Sequence, residues 1–302
     1  MVRVLGETRR GSDSAGSWEA QLAAPSATLV GMVEGYGAYH EQSRAPVVRR
    51  ELPEPRLVLV LSLASGLSLS RGCRSLSPDG PSAALVGVGQ QPIVARHHGS
   101  QTVLEVRLSP LSAECLFGVP AGQLADQVVD LAELWGKGAI ELVERAVVAT
   151  VAERFDLVDD ALAAHAEEGR PVDPVMQGVW NQLVDGQGAV TMGALREQTG
   201  WSERRLACMF REQSGLPPKV MSRLVRFQHA VALLRRPGHR SLASVALTCG
   251  YYDQAHLSRE FRELADETPT EFMAGLRADT AGAEMATDVV VAPPDTNVQD
   301  GT

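Results

Sequence analysis

Ser241 to Phe272 reads SLASVALTCGYYDQAHLSREFRELADETPTEF, and Thr191 to Pro218 reads TMGALREQTGWSERRLACMFREQSGLPP. The two stretches share a frame. Leu206, Phe210-Arg211-Glu212 and Pro218 recur 51 residues later as Leu257, Phe261-Arg262-Glu263 and Pro269. Each unit places a short helical stretch before a glycine: Met192 to Thr199 ahead of Gly200, and Leu242 to Cys249 ahead of Gly250. An aromatic follows the glycine, Trp201 in the first unit and Tyr251 and Tyr252 in the second. Then comes Ser202 or Asp253, whose side-chain oxygen can accept from the orphan N–H groups of a new helix. Helix, glycine-containing turn, helix is the helix-turn-helix arrangement. A single match is also what a generic αα-hairpin would show. Two matches in one register make that bland reading poor.

The residue types follow from what such a unit must do. Leu206 and Phe210 lie one turn apart and share a face, as do Leu257 and Phe261. That face is expected to pack on the preceding helix through Leu195, and through Val245 and Ala246. Gly200 and Gly250 supply the positive φ that aims the second helix outward. Its opposite face is then free to enter a major groove. The candidates for base contact are Arg204, Arg205 and Arg211 in the first unit, and Gln254, Ser258 and Arg259 in the second. Between the units, Val220, Leu224, Phe227, Val231 and Leu234 recur at helical spacing behind Pro217-Pro218. The spacing predicts one helix over Lys219 to Arg236. At about 1.5 Å per residue it would be roughly 27 Å long, against about 34 Å for one turn of DNA. It could therefore hold the two recognition helices (about 202–213 and 253–264) in successive major grooves on one face of the duplex. Residues 202–240 hold nine basic and two acidic groups within a chain of formal net charge −9. Arg223, Arg226, Arg235, Arg236, Arg240 and Arg262 are the candidates for phosphate contact.

Residues 173–277 resemble the DNA-binding domain of the AraC/XylS family of bacterial transcription regulators. The most specific part is Ser241 to Phe272, with its Ala, Gly-aromatic, Asp-x-x-x-Leu-Ser-Arg-x-Phe and Thr-Pro followed by an aromatic. Two departures from the family's pattern stand out. Asp266 stands where the family commonly has Gly, and Ala207 and Cys208 stand where its first recognition helix usually shows long polar groups. The resemblance implies a sequence-specific transcription regulator whose partners are double-stranded DNA and RNA polymerase. The stretch RLSPLSAECLFGVPAGQLADQVVDLAELWG, Arg107 to Gly136, resembles the N-terminal domain of actinobacterial-type members. In such proteins this part senses a signal or dimerises, so a small-molecule effector and a homodimer are further candidate partners.

Ahead of the helical half, short apolar runs alternate with turn residues: Leu57 to Leu63, Ala84 to Val88, Ile93 to Ala95 and Thr102 to Leu108. These read as β-strands of a sandwich or small barrel. From Pro110 the period becomes helical. Ile140, Val143, Val147, Val151 and Phe155 predict one amphipathic helix over 139–155, with another over 157–167. The predicted fold is α+β with two domains. An N-terminal, β-rich, cupin-like sensor domain with a helical appendage covers 26–170. An all-α double helix-turn-helix domain covers 171–278. Residues 1–25 and the acidic tail 279–302 are expected to be disordered. The apolar stripe Ile140, Val143, Val147 and Val151 is a candidate dimer contact, or else a stripe packed within its own domain.

Composition narrows the function classes. Hydrophobic residues at 44% and charged residues at 22% are globular values. No apolar run is long enough to span a membrane, and no secretory signal opens the chain. Cys73, Cys115, Cys208 and Cys249 lie far apart, which fits a reducing cytoplasm and argues against a disulfide scaffold or zinc ribbon. His97-His98 with Glu105 lacks the spacing of a cupin metal site, and adjacent strand residues point to opposite faces. Neither a dinucleotide fingerprint nor a GxSxG elbow occurs. No metal, cofactor or catalytic residue is therefore expected, and the chain reads as a regulator rather than an enzyme. The competing readings are a cupin-like barrel enzyme with a DNA-binding tail, and a helical adaptor. Without metal ligands the enzyme reading weakens, and the adaptor predicts no salt-dependent affinity for DNA.

Overall fold

The computed structural model describes residues 3–12, 16–236 and 241–278. The expected disorder of 279–302 lies outside them, as does Arg240. The β-rich part comes first. Its strands are β1 Arg3–Ser12, β2 Gly16–Ala24, β3 Val33–Ser43, β4 Val47–Glu51, β5 Leu57–Ser62 and β6 Ser68–Arg71. Then follow β7 Arg74–Leu76, β8 Ser82–Val86, β9 Ile93–His97, β10 Ser100–Leu108 and β11 Val128–Asp130. They form a seven-stranded sheet in the order β1-β2-β3-β10-β5-β8-β11 and a four-stranded sheet in the order β4-β9-β6-β7. The named strand pairings are antiparallel.

Strand alternation sorts the residues of the large sheet between two layers. Leu57, Leu59 and Leu61 of β5, with Leu104, Val106 and Leu108 of β10, face the main core together with Phe155 and Leu162. Val60, Val86 and Val103 face the other way and meet Leu69 and Ile93 of the small sheet, with Leu67 just ahead of it. Helices thus cover one face of the large sheet, and the small sheet covers the other. Those helices are α1 Ala113–Phe117, α2 Ala121–Leu124, α3 Leu131–Trp135, α4 Lys137–Val148 and α5 Val151–Glu168. Asp159 of α5 is buried and accepts from Tyr36 Oη (2.8 Å) and the Ser26 backbone N–H (3.0 Å), which ties α5 to the start of the sheet.

Two expectations fail here. Residues 1–25 contain a strand pair, β1 and β2, rather than disorder. Trp18 and Ala20 of β2 are buried with Tyr39, while Arg10 and Glu19 pair on the exposed side at 3.0 Å. The polar composition is that of an edge hairpin, where charged side chains face water. The single helix expected over 139–155 is two, α4 and α5, broken at Ala149-Thr150. Thr150 caps α5: its backbone N–H donates to Glu153 Oε2 at 2.8 Å, and its hydroxyl accepts from Glu153 N at 3.4 Å. Thr-x-x-Glu is a capping box, and that signature was legible in the sequence. The break also rotates the stripe. Val143 and Phe155 are buried, whereas Ile140 is 52% exposed and Val148 86%.

The C-terminal region is helical: α6 Pro174–Asp185, α7 Met192–Thr199, α8 Glu203–Ser214, α9 Pro218–Arg235, α10 Leu242–Thr248, α11 Gln254–Ala265 and α12 Pro269–Ala278. It packs on the β-rich region at several places. Gln228 of α9 donates to the Pro53 carbonyl at 2.8 Å. Arg50 lies 3.7 Å from Asp266. Gly122 of α2 sits so close to the end of α8 that a Cβ there would lie 2.9 Å from the Glu212 carbonyl oxygen.

Candidate nucleic-acid interface

Both repeats fold as paired helices across a glycine turn. Gly200 closes α7 at φ 67° and Gly250 follows α10 at φ 72°. Ser202 accepts from Arg205 N at 3.3 Å to start α8, and Asp253 accepts from His256 N at 2.7 Å to start α11. Leu206, Phe210, Leu257 and Phe261 are fully buried, and Leu195, Val245 and Ala246 are buried opposite them. Phe261 meets Phe227 of α9 edge-on at 4.9 Å and Phe272 of α12 at 5.7 Å. The inner faces are therefore spent on packing, and the outer faces are left to solvent.

Of the base-contact candidates, Arg204, Arg205, Arg211, Gln254 and Arg259 are exposed and Ser258 is half-buried. Arg205 lies over the Trp201 ring at 4.3 Å, which limits its reach. The second repeat's position 266 is left-handed, φ 59°, at the end of α11. The family's glycine and this chain's Asp266 thus answer the same backbone need.

The phosphate candidates divide. Arg236 and Arg262 are exposed. Arg223 and Arg226 are turned inward. Arg223 Nε donates to Glu260 Oε2 at 2.9 Å and its Nη2 pairs with Glu263. Arg226 Nη2 lies 3.6 Å from Glu260 Oε2, and its guanidinium stands 5.1 Å from the Tyr251 ring centre. Glu260 is buried and also accepts from Tyr251 Oη at 2.7 Å. Arg235 lies against Phe272 at 5.8 Å, and burial lowers its basicity. Arg223, Arg226 and Arg235 thus have partners within the fold, whereas Arg236 and Arg262 present their charge to solvent. Helical spacing counts basic residues around α9 but does not say which face α11 covers. Glu260 and Tyr251 were missed for the same reason: a glutamate inside an apolar repeat shows no partner until α9 is laid against it.

A second feature lies between the two sheets: a cavity of about 140 Å³. Val60, Leu67, Val86, Ile93 and Val103 line its middle, and Gln228 and Arg235 reach it from α9. Glu51, Glu54, Glu105 and Arg107 gather beside Arg235. Burial pushes the Glu105 carboxyl up to about 7; Arg107 opposes the rise and Glu51 and Glu54 add to it. Glu41 shows the opposite balance. Burial raises it, yet His97 at 3.3 Å and Arg49 outweigh burial and hold it at about 2. His97, the last residue of β9, is buried, and His98, in the bend that follows it, is exposed. Among the described residues no three His, Cys, Asp or Glu side chains converge in a way that could hold a metal. No helix among them is long and apolar enough to cross a membrane.

Residues 195–275 match a family described as a helix-turn-helix domain, and residues 21–130 match a domain of unknown function, DUF6597. The matched stretch spans α7 to α12 and so contains both helix-turn-helix units, as the resemblance to the AraC/XylS family implies. The chain is 36% identical over 70 residues to the HTH-type transcriptional activator RhaR of Yersinia pseudotuberculosis serotype O:1b and to that of Yersinia pestis bv. Antiqua. This covers 23% of the chain and only 24% of each of those proteins. In fold it is similar to ToxT from Vibrio cholerae, at 11% identity and a TM-score of 0.50, over 79% of this chain and 97% of that one. The AraC-like transcriptional activator CuxR is 20% identical over 70% of this chain and 80% of its own, with a TM-score of 0.28.

Proposed function

We propose that the chain is a sequence-specific, DNA-binding transcription regulator. In this reading α8 and α11 enter successive major grooves on one face of a duplex, and α9 is the spacer. The observation that carries it is the pair of helix-turn-helix units, each with its apolar face buried and its polar face exposed, joined by one unbroken helix. Arg204, Arg205, Arg211, Gln254, Ser258 and Arg259 read base edges, and Arg236 and Arg262 hold phosphates. Residues 171–278 form the DNA-binding domain. Residues 26–170, extended by the β1–β2 pair, form a cupin-like sensing and dimerising domain. RNA polymerase is the protein partner, and the cytoplasm is where the chain works.

The cavity supports a small-molecule effector. Ligand entering it meets Gln228 and Arg235, so occupancy can bias α9 and with it the spacing of the recognition helices. Three arginines of the cavity wall pair with nearby carboxylates, Arg56 with Glu54, Arg107 with Glu105 and Arg49 with Glu41.

Selection of duplexes by the full-length chain from a randomised pool, followed by footprinting, tests the central reading. Two protected major grooves about one turn apart are expected, with affinity that falls steeply as salt rises. Binding without sequence preference, or protection of one groove alone, would overturn it.

A further inference from the structure

We propose that Glu260 is the positioning residue for the second recognition helix. It fixes how α11 faces DNA, and at the same time keeps two arginines of the linker helix off the phosphates. This rests on the DNA-binding reading above and adds to it the group on which selectivity depends.

Glu260 is 5% exposed, and its carboxylate meets Tyr251, Arg223 and Arg226, all from outside α11. Oε1 accepts from Tyr251 Oη at 2.7 Å. Oε2 accepts from Arg223 Nε at 2.9 Å and lies 3.6 Å from Arg226 Nη2. Tyr251 follows Gly250 in the turn, and the two arginines sit one turn apart on α9. One carboxylate therefore ties together turn, linker and recognition helix. At about 100° per residue, Ser258 and Arg262 stand roughly opposite Glu260. Turning α11 about its axis to re-aim that outer face would pull Glu260 away from three donors at once. A buried carboxylate deprived of its partners is costly, so the angle is held steeply. The apolar contacts of Leu257 and Phe261 are non-directional and cannot fix the rotation as sharply.

The same contacts answer a question of charge. Basic side chains near a DNA face bind any sequence through phosphates, and each contact adds about 0.9 to the salt slope. Non-specific affinity of that kind competes with selective binding. Arg223 and Arg226 are half-buried against Glu260. Their charge is spent inside the protein, and base-reading groups keep the larger share of the outer face.

The test uses the full-length chain and two duplexes: one selected by the wild-type protein and one of scrambled sequence. Glu260→Gln keeps the shape and the acceptor for Tyr251 and removes the charge. Its preference for the selected duplex should fall about tenfold or more. Affinity for the scrambled duplex should hold or rise, and its salt slope should steepen by about 1–2 as the arginines are released. Tyr251→Phe removes the turn's contact alone. It should lower the preference less and leave the salt slope unchanged, and it keeps the test open if Glu260→Gln does not fold. A purely structural role predicts parallel loss on both duplexes at an unchanged slope, and that result overturns the proposal. So does unchanged preference in a folded Glu260→Gln together with Tyr251→Phe. If the wild-type chain itself shows no preference, the DNA-binding reading fails instead, so the two failures are distinguishable.

Discussion

Arg259 and Asp266 show how single residues carry different burdens on one helix. Arg259 is exposed on α11 next to the buried Glu260. Its guanidinium suits the two acceptors of a guanine edge. Arg259→Ala should cost about 1–3 kcal/mol at the selected site and relax preference at one base position. Equal loss on every sequence would leave Arg259 only a phosphate role. Asp266 does its work through the backbone. It holds φ 59° at the end of α11, where a side chain is strained and glycine is not. Asp266→Gly should raise stability by about 0.5 kcal/mol in denaturant unfolding. It gives up a contact with Arg50 at 3.7 Å, but both side chains are largely exposed, so that pair counts for little. A net loss of stability would show that the Arg50 contact matters more than the backbone.

At the scale of elements, α9 decides whether two recognition units act as one. It runs from Pro218 to Arg235 without an internal glycine or proline. Ala230 is fully buried, so a substitution there would damage the core as well as the helix. Ala232 is only half-buried and is the cleaner place to break the spacer. A proline at that position, Ala232→Pro, removes one backbone bond and clashes with the preceding turn, at about 3 kcal/mol. Affinity for the full site should drop towards that of a half-site, because the second contact ceases to be effectively intramolecular. A folded variant that still protects two grooves at undiminished affinity would show that the spacer is not rigid. The capped break before α5 has its own consequence. It leaves Ile140 and Val148 of α4 facing solvent, and these replace the longer stripe as the candidate dimer contact. The double variant Ile140→Asp, Val148→Asp should shift the full chain from dimer to monomer in sedimentation. A wild-type chain that is already monomeric at tens of micromolar would remove that role.

One apolar core runs through the whole molecule, and the carboxyls beside the cavity between the sheets are where its stability should depend on pH. Glu105 faces the cavity with a folded pKa of about 7, well above its ordinary value of 4.5. A carboxyl raised in the fold is harmless below 4.5, where it is protonated in both states. It destabilises increasingly as pH rises from 4.5 through 7, because the folded state must then hold a poorly compensated charge. Glu105→Gln should therefore stabilise the chain by about 2 kcal/mol at pH 8 and by almost nothing at pH 4. The comparison is a pair of thermal melts at each pH, and an equal effect at both would sink it. Glu41 works in the other direction. Its pKa of about 2 stabilises the fold above 4.5, and that contribution fades as pH falls towards 2.

The helix-turn-helix units, their caps, their buried faces and the linker helix were all legible in the chain, because each rests on contacts within a few residues. A turn needs its glycine, a cap its hydroxyl or carboxylate, and a helix face its period of 3.6. Strands over 57–62, 82–86, 93–97 and 100–108 were legible in the same way, from β-rich runs between turn residues. Other features depend on partners far along the chain, and only the tertiary structure decided them. The β1–β2 pair draws on Tyr39 to bury Trp18, and its polar composition hides it. The roles of Arg223, Arg226 and Arg235 depend on what is laid against α9: Glu260 from 34 or more residues onward, and Glu51 and Glu54 from the opposite end of the chain. A sequence states how many charges a helix carries. Which of them face water is fixed by the neighbours that displace it, since a charge out of water must find its partner wherever the fold brings one.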